Sequence, residues 1–269
     1  MRFASLGSGS RGNGTLIEMG GERILVDCGF TLKQAEARLA RLDLKGADIS
    51  AVLVTHEHSD HAGGVAALAY KYALPVFASF GTLKASSGGG TPLLGKPINS
   101  HSPFEIGAVT VHPVVVPHDA REPTQFVFEN AGCRFGVVSD LGHVTSFVTA
   151  AYQRLDGLLM EANYDEQMLM RGRYPASVKR RIASELGHLS NPQSVAFLEA
   201  VAHDQLEVLV GHISQENNHL DLLEAAFAPL RSRVRQLRFA SQDQGADWIT
   251  VTAIDEPAPE RPEPILELN

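Results

Sequence analysis

The sequence has little of what marks disulfide-rich, membrane-spanning or secreted proteins. Its 269 residues include two cysteines, Cys28 and Cys133, each within a run of β-forming residues. This pattern argues against a disulfide framework and predicts two buried thiols. No apolar run approaches the roughly 20 residues that cross a bilayer. The opening segment, MRFASLGSGSRGNGT, lacks the apolar core of a secretory signal, so we expect a cytoplasmic protein with no membrane partner.

Basic residues are also in the minority. Lysine and arginine number 23 against 31 aspartates and glutamates, which gives a formal net charge of −8. This balance argues against a surface that is basic all over, but it leaves room for a local basic patch of the kind that contacts nucleic acid. The composition, 44% apolar and 20% charged, is typical of a globular protein that can bury a sizeable core.

Strand-like and helix-like segments alternate along the chain, which predicts an α/β protein. The spacing of apolar residues predicts helices over 31–42, 60–72 and 175–186, and another over 191–202 with Asn191 as its cap. The stretch GTLKASSGGGTPLLGKPINS is rich in turn-forming residues. It predicts an irregular loop between two strand-rich halves of the chain.

The segment AVLVTHEHSDHAGG places four potential metal ligands within a few residues, directly after a run of β-formers. His56 and His58 lie two residues apart at the end of the predicted strand. In an extended backbone both imidazoles therefore point to one side and can share a cation. Asp60 and His61 follow where the chain bends into a helix, and they can reach a second cation beside the first. This His-x-His-x-Asp-His spacing predicts a metal site.

Three further polar residues each end an apolar, strand-like run: His118 in VVVPHDA, Asp140 in GVVSDLGH and His212 in VLVGHIS. Binding residues gather on the loops at strand ends, so we expect these three residues to complete the site. Three other histidines lie inside a strand, in loops or at helix ends, and we expect no metal role for them: His101, His112 and His203.

These motifs resemble those of the metallo-β-lactamase-fold hydrolase superfamily across nearly the whole chain. More narrowly, SLGSGSRGN, PHDAREP, LMEANYD, GHLSN and GHISQENN resemble the YycJ/WalJ group of bacterial proteins, which is associated with exonuclease activity on DNA. The resemblance implies a four-layer αββα sandwich of two mixed β-sheets with outer helices. It also implies a single hydrolase domain over residues 1–254, followed by a Pro/Glu-rich C-terminal tail over 255–269.

The same resemblance implies two divalent cations and seven ligands. The family pattern puts one cation on His56, His58 and His118, the other on Asp60, His61 and His212, and Asp140 between them as a bridge. Lactamases of this fold commonly carry cysteine at the place of Asp140, and oxygen-reducing diiron relatives carry glutamate at the place of His58. Antibiotic hydrolysis and redox chemistry are therefore disfavoured. Zinc is the default metal for so many imidazoles, and manganese and iron also suit a mixed histidine and carboxylate site.

The predicted chemistry is hydrolysis of a phosphodiester. Two neighbouring cations can hold a water as hydroxide at neutral pH and can neutralise charge on the phosphoryl oxygens. Asp60, as a ligand with a free carboxylate oxygen, is expected to orient that water. His188, which lies between a helix end and a new helix cap in GHLSNPQS, is expected to supply a proton to the leaving group.

Substrate contacts are expected in three places. Residues just past two strand ends are candidates: Glu161, Asn163, Asn217 and Asn218. The SGSRGN turn offers backbone amides together with Ser8, Ser10 and Asn13 for a small anion-binding nest. We define the basic segment as Arg171, Arg173, Lys179, Arg180 and Arg181. We expect it, and Arg180 and Arg181 in particular, to form a phosphate track toward the metals, although such a run is also typical of a solvated helix face.

Three functions stay open on the sequence alone. The first is an exonuclease that acts on DNA, which would have a groove for several nucleotides and strong salt dependence. The second is a small-molecule hydrolase of a cyclic phosphodiester, thioester or lactone, with a closed pocket roofed by the loop over 81–100. The third is a regulatory protein that binds metal at a retained site and turns over neither class of substrate.

Overall fold

Two seven-stranded β-sheets lie face to face within residues 1–86 and 93–253, the part of the chain that the computed structural model describes. The first sheet has the strand order β14-β1-β2-β3-β4-β5-β6. Its strands are β1 (Arg2–Gly7), β2 (Gly14–Met19), β3 (Glu22–Val26), β4 (Ala51–Val54), β5 (Val76–Ser79), β6 (Lys96–Ile98) and β14 (Ala246–Thr250). The pairs from β14 to β3 are antiparallel and those from β3 to β6 are parallel, so the sheet is mixed.

The second sheet repeats this arrangement with the order β13-β12-β11-β10-β9-β8-β7. The pairs from β7 to β10 are antiparallel and those from β10 to β13 are parallel. Its strands are β7 (Phe104–Ile106), β8 (Val109–Val115), β9 (Thr124–Asn130), β10 (Cys133–Val138), β11 (Gly157–Glu161), β12 (Glu207–Gly211) and β13 (Gln236–Phe239). The passage from the first sheet to the second lies between β6 and β7, as the two strand-rich halves of the sequence predicted.

Helices cover the outer face of each sheet. α1 begins after Thr31, whose side chain accepts from the amide of Gln34 in a capping box. In the described part of the chain the helices are α1 (Leu32–Arg41), α2 (Ser59–Ala62), α3 (Val65–Tyr72), α4 (Phe80–Ser86), α5 (Ser146–Ala151), α6 (Glu166–Arg171), α7 (Ala176–Ile182), α8 (Asn191–Val201) and α9 (Leu220–Phe227). None of these helices has the length and apolar character needed to span a membrane.

Three apolar cores separate the four layers. The central core joins the inner faces of both sheets, with Phe3 and Leu53 from the first and Phe128 and Leu209 from the second. The core beneath α1 and α3 covers the outer face of the first sheet, and that beneath α5, α8 and α9 covers the second. This layering confirms the predicted αββα sandwich of two mixed sheets.

Several local predictions were wrong in detail. The helix over 60–72 is two helices, because the chain between α2 and α3 passes against the loop after β3. Two backbone hydrogen bonds of 2.7 Å connect the loop after β3 to the chain between α2 and α3. The Cys28 amide donates to the His61 carbonyl, and the Gly64 amide donates to the Cys28 carbonyl. The stretch predicted as an irregular loop contains part of α4 and all of β6, and its residues 87–92 lie outside the described residues.

The cap of α8 also differs from the prediction. Ser190, not Asn191, is the N-cap, in a capping box with Gln193, and the Asn191 side chain instead pairs with that of Asn218. The helix predicted over 175–186 ends at Ile182. The predicted tail over 255–269 lies outside the described residues.

Candidate metal centre

Seven histidine and aspartate side chains meet where strands of both sheets end, and we call them the histidine–aspartate cluster: His56, His58, Asp60, His61, His118, Asp140 and His212. They include two groups whose potential ligand atoms lie within 4.8 Å of one another, namely His56, His58 and His118, and Asp60, His61 and His212. These are the two ligand sets that the family pattern implied.

The first group consists of three imidazoles with facing ring nitrogens. His58 Nδ1 lies 3.0 Å from His56 Nε2 and 3.3 Å from His118 Nε2. His56 follows β4 in the first sheet, whereas His118 follows β8 in the second. The group therefore joins the two halves of the sandwich.

Asp140 lies between the first group and the second. Its Oδ2 is 2.6 Å from His212 Nδ1 and 3.1 Å from His61 Nε2, and its Oδ1 is 4.0 Å from His118 Nε2. In the second group, Asp60 Oδ2 lies 3.5 Å from His61 Nε2 and 3.7 Å from His212 Nε2. A carboxylate in this position can contact a cation in either group.

The backbone turns sharply out of the sheets at this edge. Asp27, Asp140 and His212 each follow a strand and have φ values of 61°, 56° and 46°. Residues other than glycine seldom adopt this left-handed conformation, which costs free energy and persists only where surrounding contacts hold it. Its recurrence at three neighbouring strand ends marks a site built at some cost in stability.

Asp27 and Thr55, which the sequence analysis did not select, fix the tautomers of two histidines. The Thr55 hydroxyl donates to Asp27 Oδ2 at 2.7 Å and accepts from His56 Nδ1 at 3.0 Å, while His61 Nδ1 donates to Asp27 Oδ2 at 2.8 Å. The Nε2 lone pairs of both imidazoles therefore face the cluster. The His118 Nδ1 donates to the Gly187 carbonyl at 3.1 Å, which gives His118 the same orientation.

Burial and charge hold His56, His118 and Asp140 in the forms that bind metal. Burial lowers the pKa of His56 well below its ordinary value, and burial also lowers the pKa of His118 despite the nearby Asp140. For Asp140, burial opposes ionisation, but the charges of His212 and His61 outweigh it and lower the pKa well below its ordinary value. Neutral imidazoles and an ionised carboxylate are metal-binding forms. For His61, burial opposes protonation, but the charges of Asp140 and Asp27 outweigh it and raise the pKa well above its ordinary value, so a cation must displace a proton from this ring.

The donor set fits divalent cations. Ring nitrogens of three imidazoles converge in the first group, close enough to one another to share a single cation. The second group adds a carboxylate, and the Asp140 carboxylate reaches both. Imidazole and carboxylate ligands at strand ends are typical of zinc sites and of other transition-metal sites.

The SGSRGN turn supports the cluster from the first sheet. Ser8 Oγ accepts from the His212 amide at 2.6 Å, across 204 positions of sequence, and the Asn163 side chain donates to the His212 carbonyl at 3.0 Å. Asn13 Nδ2 lies 3.3 Å from Asp60 Oδ2 and 3.0 Å from His61 Nε2. Through these contacts Ser8 and Asn13 position cluster residues, and the anion-binding nest predicted for this turn stays a prediction.

His188 lies beside the cluster and is paired with a buried glutamate. Its Nδ1 is 3.1 Å from Glu161 Oε2 and 3.6 Å from Asp140 Oδ1, and its side chain is 21% exposed. Burial opposes protonation, but the hydrogen bond and charge of Glu161 outweigh it and raise the pKa of His188 to about 9. Glu161 is held by the amides of Leu141 and Leu189, which both donate to its Oε1.

The other predicted substrate residues differ in their placement. The Asn217 side chain donates to Ser214 Oγ and that of Asn218 to the Ala162 carbonyl, so both hold the loop after His212. Arg181 on α7 pairs with Asp119, whose carboxylate lies 3.5 Å from His118 Nε2. Ser10 and Arg180 are exposed.

A sandwich of two mixed sheets, with histidines and aspartates gathered at the strand ends along one edge, defines a metallo-β-lactamase-fold hydrolase. Comparison with known proteins supports this class. The family model described as Beta-lactamase superfamily domain matches residues 22–213. The chain belongs to this superfamily and, within it, to the YycJ/WalJ group, as predicted from the sequence.

Two relatives and one solved structure illustrate the match. The chain is 35% identical to exodeoxyribonuclease YycJ of Bacillus anthracis over 82% of this chain and 86% of the relative. It is 33% identical to exodeoxyribonuclease WalJ of Streptococcus pneumoniae over 92% of each chain. The crystal structure of the metallo-β-lactamase-fold protein YhfI from Bacillus subtilis superposes with a TM-score of 0.68 at 15% identity, covering 93% of this chain and 99% of the other. These comparisons also confirm the predicted class of metal-dependent hydrolase.

Proposed function

We propose that this protein is an exonuclease that hydrolyses DNA phosphodiesters at the histidine–aspartate cluster. The observation that carries the proposal is the position of Asp140, which contacts histidines of both potential ligand groups and lies beside the His188–Glu161 pair. The names of two relatives that align over most of their length support DNA as the substrate. A cytoplasmic location, as predicted from the sequence, fits this role.

In this proposal two divalent cations would be bound by the cluster. One would be held by His56, His58 and His118, and the other by Asp60, His61 and His212. The Asp140 carboxylate would be a ligand of both cations. Zinc is the metal we favour, because five of the seven residues are histidines, with manganese and iron as alternatives. When bound, two such cations supply a nucleophilic water at neutral pH and neutralise phosphoryl charge.

Asp60 positions the attacking water. Its carboxylate is held at Oδ2 by Asn13, and the Asn13 side chain also donates to the Asp60 carbonyl at 3.2 Å. The hydrogen bond and charge of His61 lower the pKa of Asp60 although burial opposes this, so its carboxylate is ionised and accepts a hydrogen bond. A fixed acceptor of this kind orients a water for in-line attack.

His188 gives a proton to the leaving oxygen of the DNA strand. Its pKa of about 9 keeps the imidazole protonated at neutral pH, and Glu161 orients the ring through Nδ1. The Nε2–H is then the proton available to substrate. A deoxyribose alkoxide is a poor leaving group without such a proton, so this transfer is worth about 10² to 10⁴ in rate.

Arg181 and Arg180 extend the site along the DNA backbone. The ion pair of Arg181 with Asp119 brings the guanidinium to the loop that carries His118. This hydrogen bond raises the pKa of Arg181, and the charge of Asp60 adds to the effect, so the guanidinium lies within electrostatic reach of the cluster. Arginines in this position bind phosphates without regard to sequence.

The test is hydrolysis by the metal-loaded protein of end-labelled single- and double-stranded DNA and RNA, with bis(p-nitrophenyl) phosphate and a thioester alongside. The proposal predicts stepwise shortening of DNA that is lost in Asp140→Ala. Turnover of the small esters alone would replace it with the small-molecule hydrolase, and metal binding without any turnover would favour the regulatory protein.

A further inference from the structure

A groove of about 710 Å³ opens beside the histidine–aspartate cluster, on the side of α2, α3 and α4. We call it the α3–α4 groove, and the residues that matter for its chemistry are Glu57, Ser59, Ala66, Tyr70, Ser86 and Leu93. Its volume falls in the range of roughly 300 to 1,000 Å³ that is usual for small-ligand sites.

The groove begins within a residue of the cluster. Glu57 lies between His56 and His58 in sequence, and Ser59 lies between His58 and Asp60. Consecutive Cα atoms are about 3.8 Å apart, so the part of the groove that Glu57 and Ser59 line lies a few ångströms from the backbone of the cluster residues. For a polynucleotide substrate, the group one bond away from the phosphodiester is a nucleoside.

The walls of the groove suit a planar ring. Ala66 and Tyr70 are four residues apart on α3 and so share a face of the helix. The small side chain of Ala66 leaves the wall open, and Tyr70 is 90% exposed at the rim with its ring free of packing. Exposed aromatic rings beside such a wall are the usual means of stacking nucleobases.

The groove contains polar atoms to which a ligand could donate a hydrogen bond. Glu57 Oε1 accepts from the Arg121 amide at 2.8 Å, which fixes the carboxylate. Its Oε2 is buried and, like Ser86 Oγ, has no hydrogen-bond partner in the described part of the chain. A buried acceptor without a donor costs free energy, and an N–H group of a ligand would remove that cost.

The lining also excludes a phosphate. Among the described residues that line the groove there is neither lysine nor arginine, and Glu57 would repel an anion. An uncharged ring that carries an N–H donor is the ligand that fits.

We propose that the α3–α4 groove binds the nucleobase next to the scissile phosphate, with Tyr70 stacking on the ring and Glu57 accepting from an exocyclic amino group. This inference rests on the proposed nuclease function. Cytosine, adenine and guanine carry an exocyclic amino group, whereas thymine has none, and the single N3–H of thymine lies between two carbonyl oxygens that a carboxylate would repel. The enzyme should therefore prefer cytosine and adenine to thymine at this position.

The test compares degradation of single-stranded oligo(dC), oligo(dA) and oligo(dT) by the metal-loaded protein and its variants. In the wild type we expect kcat/KM to be about 10-fold higher for oligo(dC) than for oligo(dT), and we expect Glu57→Gln to remove most of this ratio. Tyr70→Ala should raise KM about 10-fold for all three substrates. Phe147→Ala, which removes a 57% exposed ring elsewhere, is the matched control and should change neither.

Two further measurements distinguish failure of the groove proposal from failure of the proposed nuclease function. Turnover of bis(p-nitrophenyl) phosphate reports on the cluster itself, and if Glu57→Gln impairs it, Ser86→Ala takes its place as the groove variant. Binding of dCMP and dTMP to the metal-loaded protein tests the groove even if DNA is not the substrate. Equal binding of the two nucleotides, or a dC to dT ratio unchanged in the groove variants, would overturn the inference. A dCMP preference with no DNA hydrolysis would overturn only the nuclease function.

Discussion

The histidine–aspartate cluster and the basic segment lie on the same edge of the sandwich but are built in different ways. Cluster residues follow buried strands, and Asp140 and His212 are each 2% exposed. The basic segment lies on two short helices, α6 and α7, with Arg173 between them, and α7 has no buried residue. Under the proposed function, this comparison implies that the packed sheets fix the residues of the reaction, whereas exposed side chains that can adjust contact the substrate.

The largest effect is expected at the centre of the cluster. Asp140→Ala should lower hydrolysis of both DNA and bis(p-nitrophenyl) phosphate by at least about 10³-fold, because it removes the carboxylate shared by both ligand groups. Bound metal, measured by mass spectrometry, should fall as well. Asp243→Ala, at an exposed carboxylate paired with Arg11, is the control. Wild-type turnover in Asp140→Ala would place the reaction elsewhere.

The second largest effect is expected for His188→Ala, and its size should depend on the leaving group of the substrate. His188→Ala should lower DNA hydrolysis by about 10² to 10⁴, because the departing alkoxide needs a proton. It should lower turnover of bis(p-nitrophenyl) phosphate much less, since p-nitrophenolate leaves without one, and metal content should not change. His143→Ala, at a neighbouring histidine bonded to the Glu185 carbonyl, is the comparison. An equal loss on both substrates would argue for a merely structural His188.

Removing the charge of Asp27, which contacts His61, should weaken metal binding without abolishing it. Asp27→Asn takes away the carboxylate that accepts from His61 and Thr55, and we expect metal affinity to fall about 10- to 100-fold in a chelator competition assay. Thr55→Ser keeps the hydroxyl and should bind metal as the wild type does. Unchanged affinity in Asp27→Asn would show that the tautomers are fixed by other contacts.

The smallest effect is expected at Arg180, an exposed residue of α7. Arg180→Ala should weaken binding of single-stranded DNA a few-fold and reduce the slope of log affinity against log salt by about 0.7, the value for one lost phosphate contact. Fluorescence anisotropy at several salt concentrations measures both. The control is Arg235→Ala, at an exposed arginine bonded to Gln205. An unchanged slope would make this part of α7 a solvated helix face.

Much of the site could be predicted because its residues share a local pattern. A polar side chain directly after an apolar strand is visible in sequence, and this pattern led to His118, Asp140 and His212, which the structure brings together with the His-x-His-x-Asp-His segment. Asp27 follows RILV in the same way and the same rule would have found it. Metal binding by these residues stays a prediction.

The supporting contacts could not be predicted, because they depend on where the chain returns. Ser8 meets the His212 amide across the two halves of the protein, and nothing near either residue indicates the other. In the same way, Ser190 caps α8 because the Asn191 side chain is hydrogen-bonded to that of Asn218. Nothing in the sequence near Asn191 predicts this contact. Short elements such as β7, α6, β13 and β14 were also missed, because few residues cannot establish a period.

The most direct test of the division between chemistry and substrate contact is one ratio: kcat/KM for single-stranded DNA divided by kcat/KM for bis(p-nitrophenyl) phosphate. It should be measured in the wild type, in Arg180→Ala/Arg181→Ala and in Arg235→Ala. We predict that the double variant lowers this ratio about 10-fold or more through the DNA value alone, while Arg235→Ala leaves it unchanged. A double variant that loses both activities together, or neither, would contradict the account.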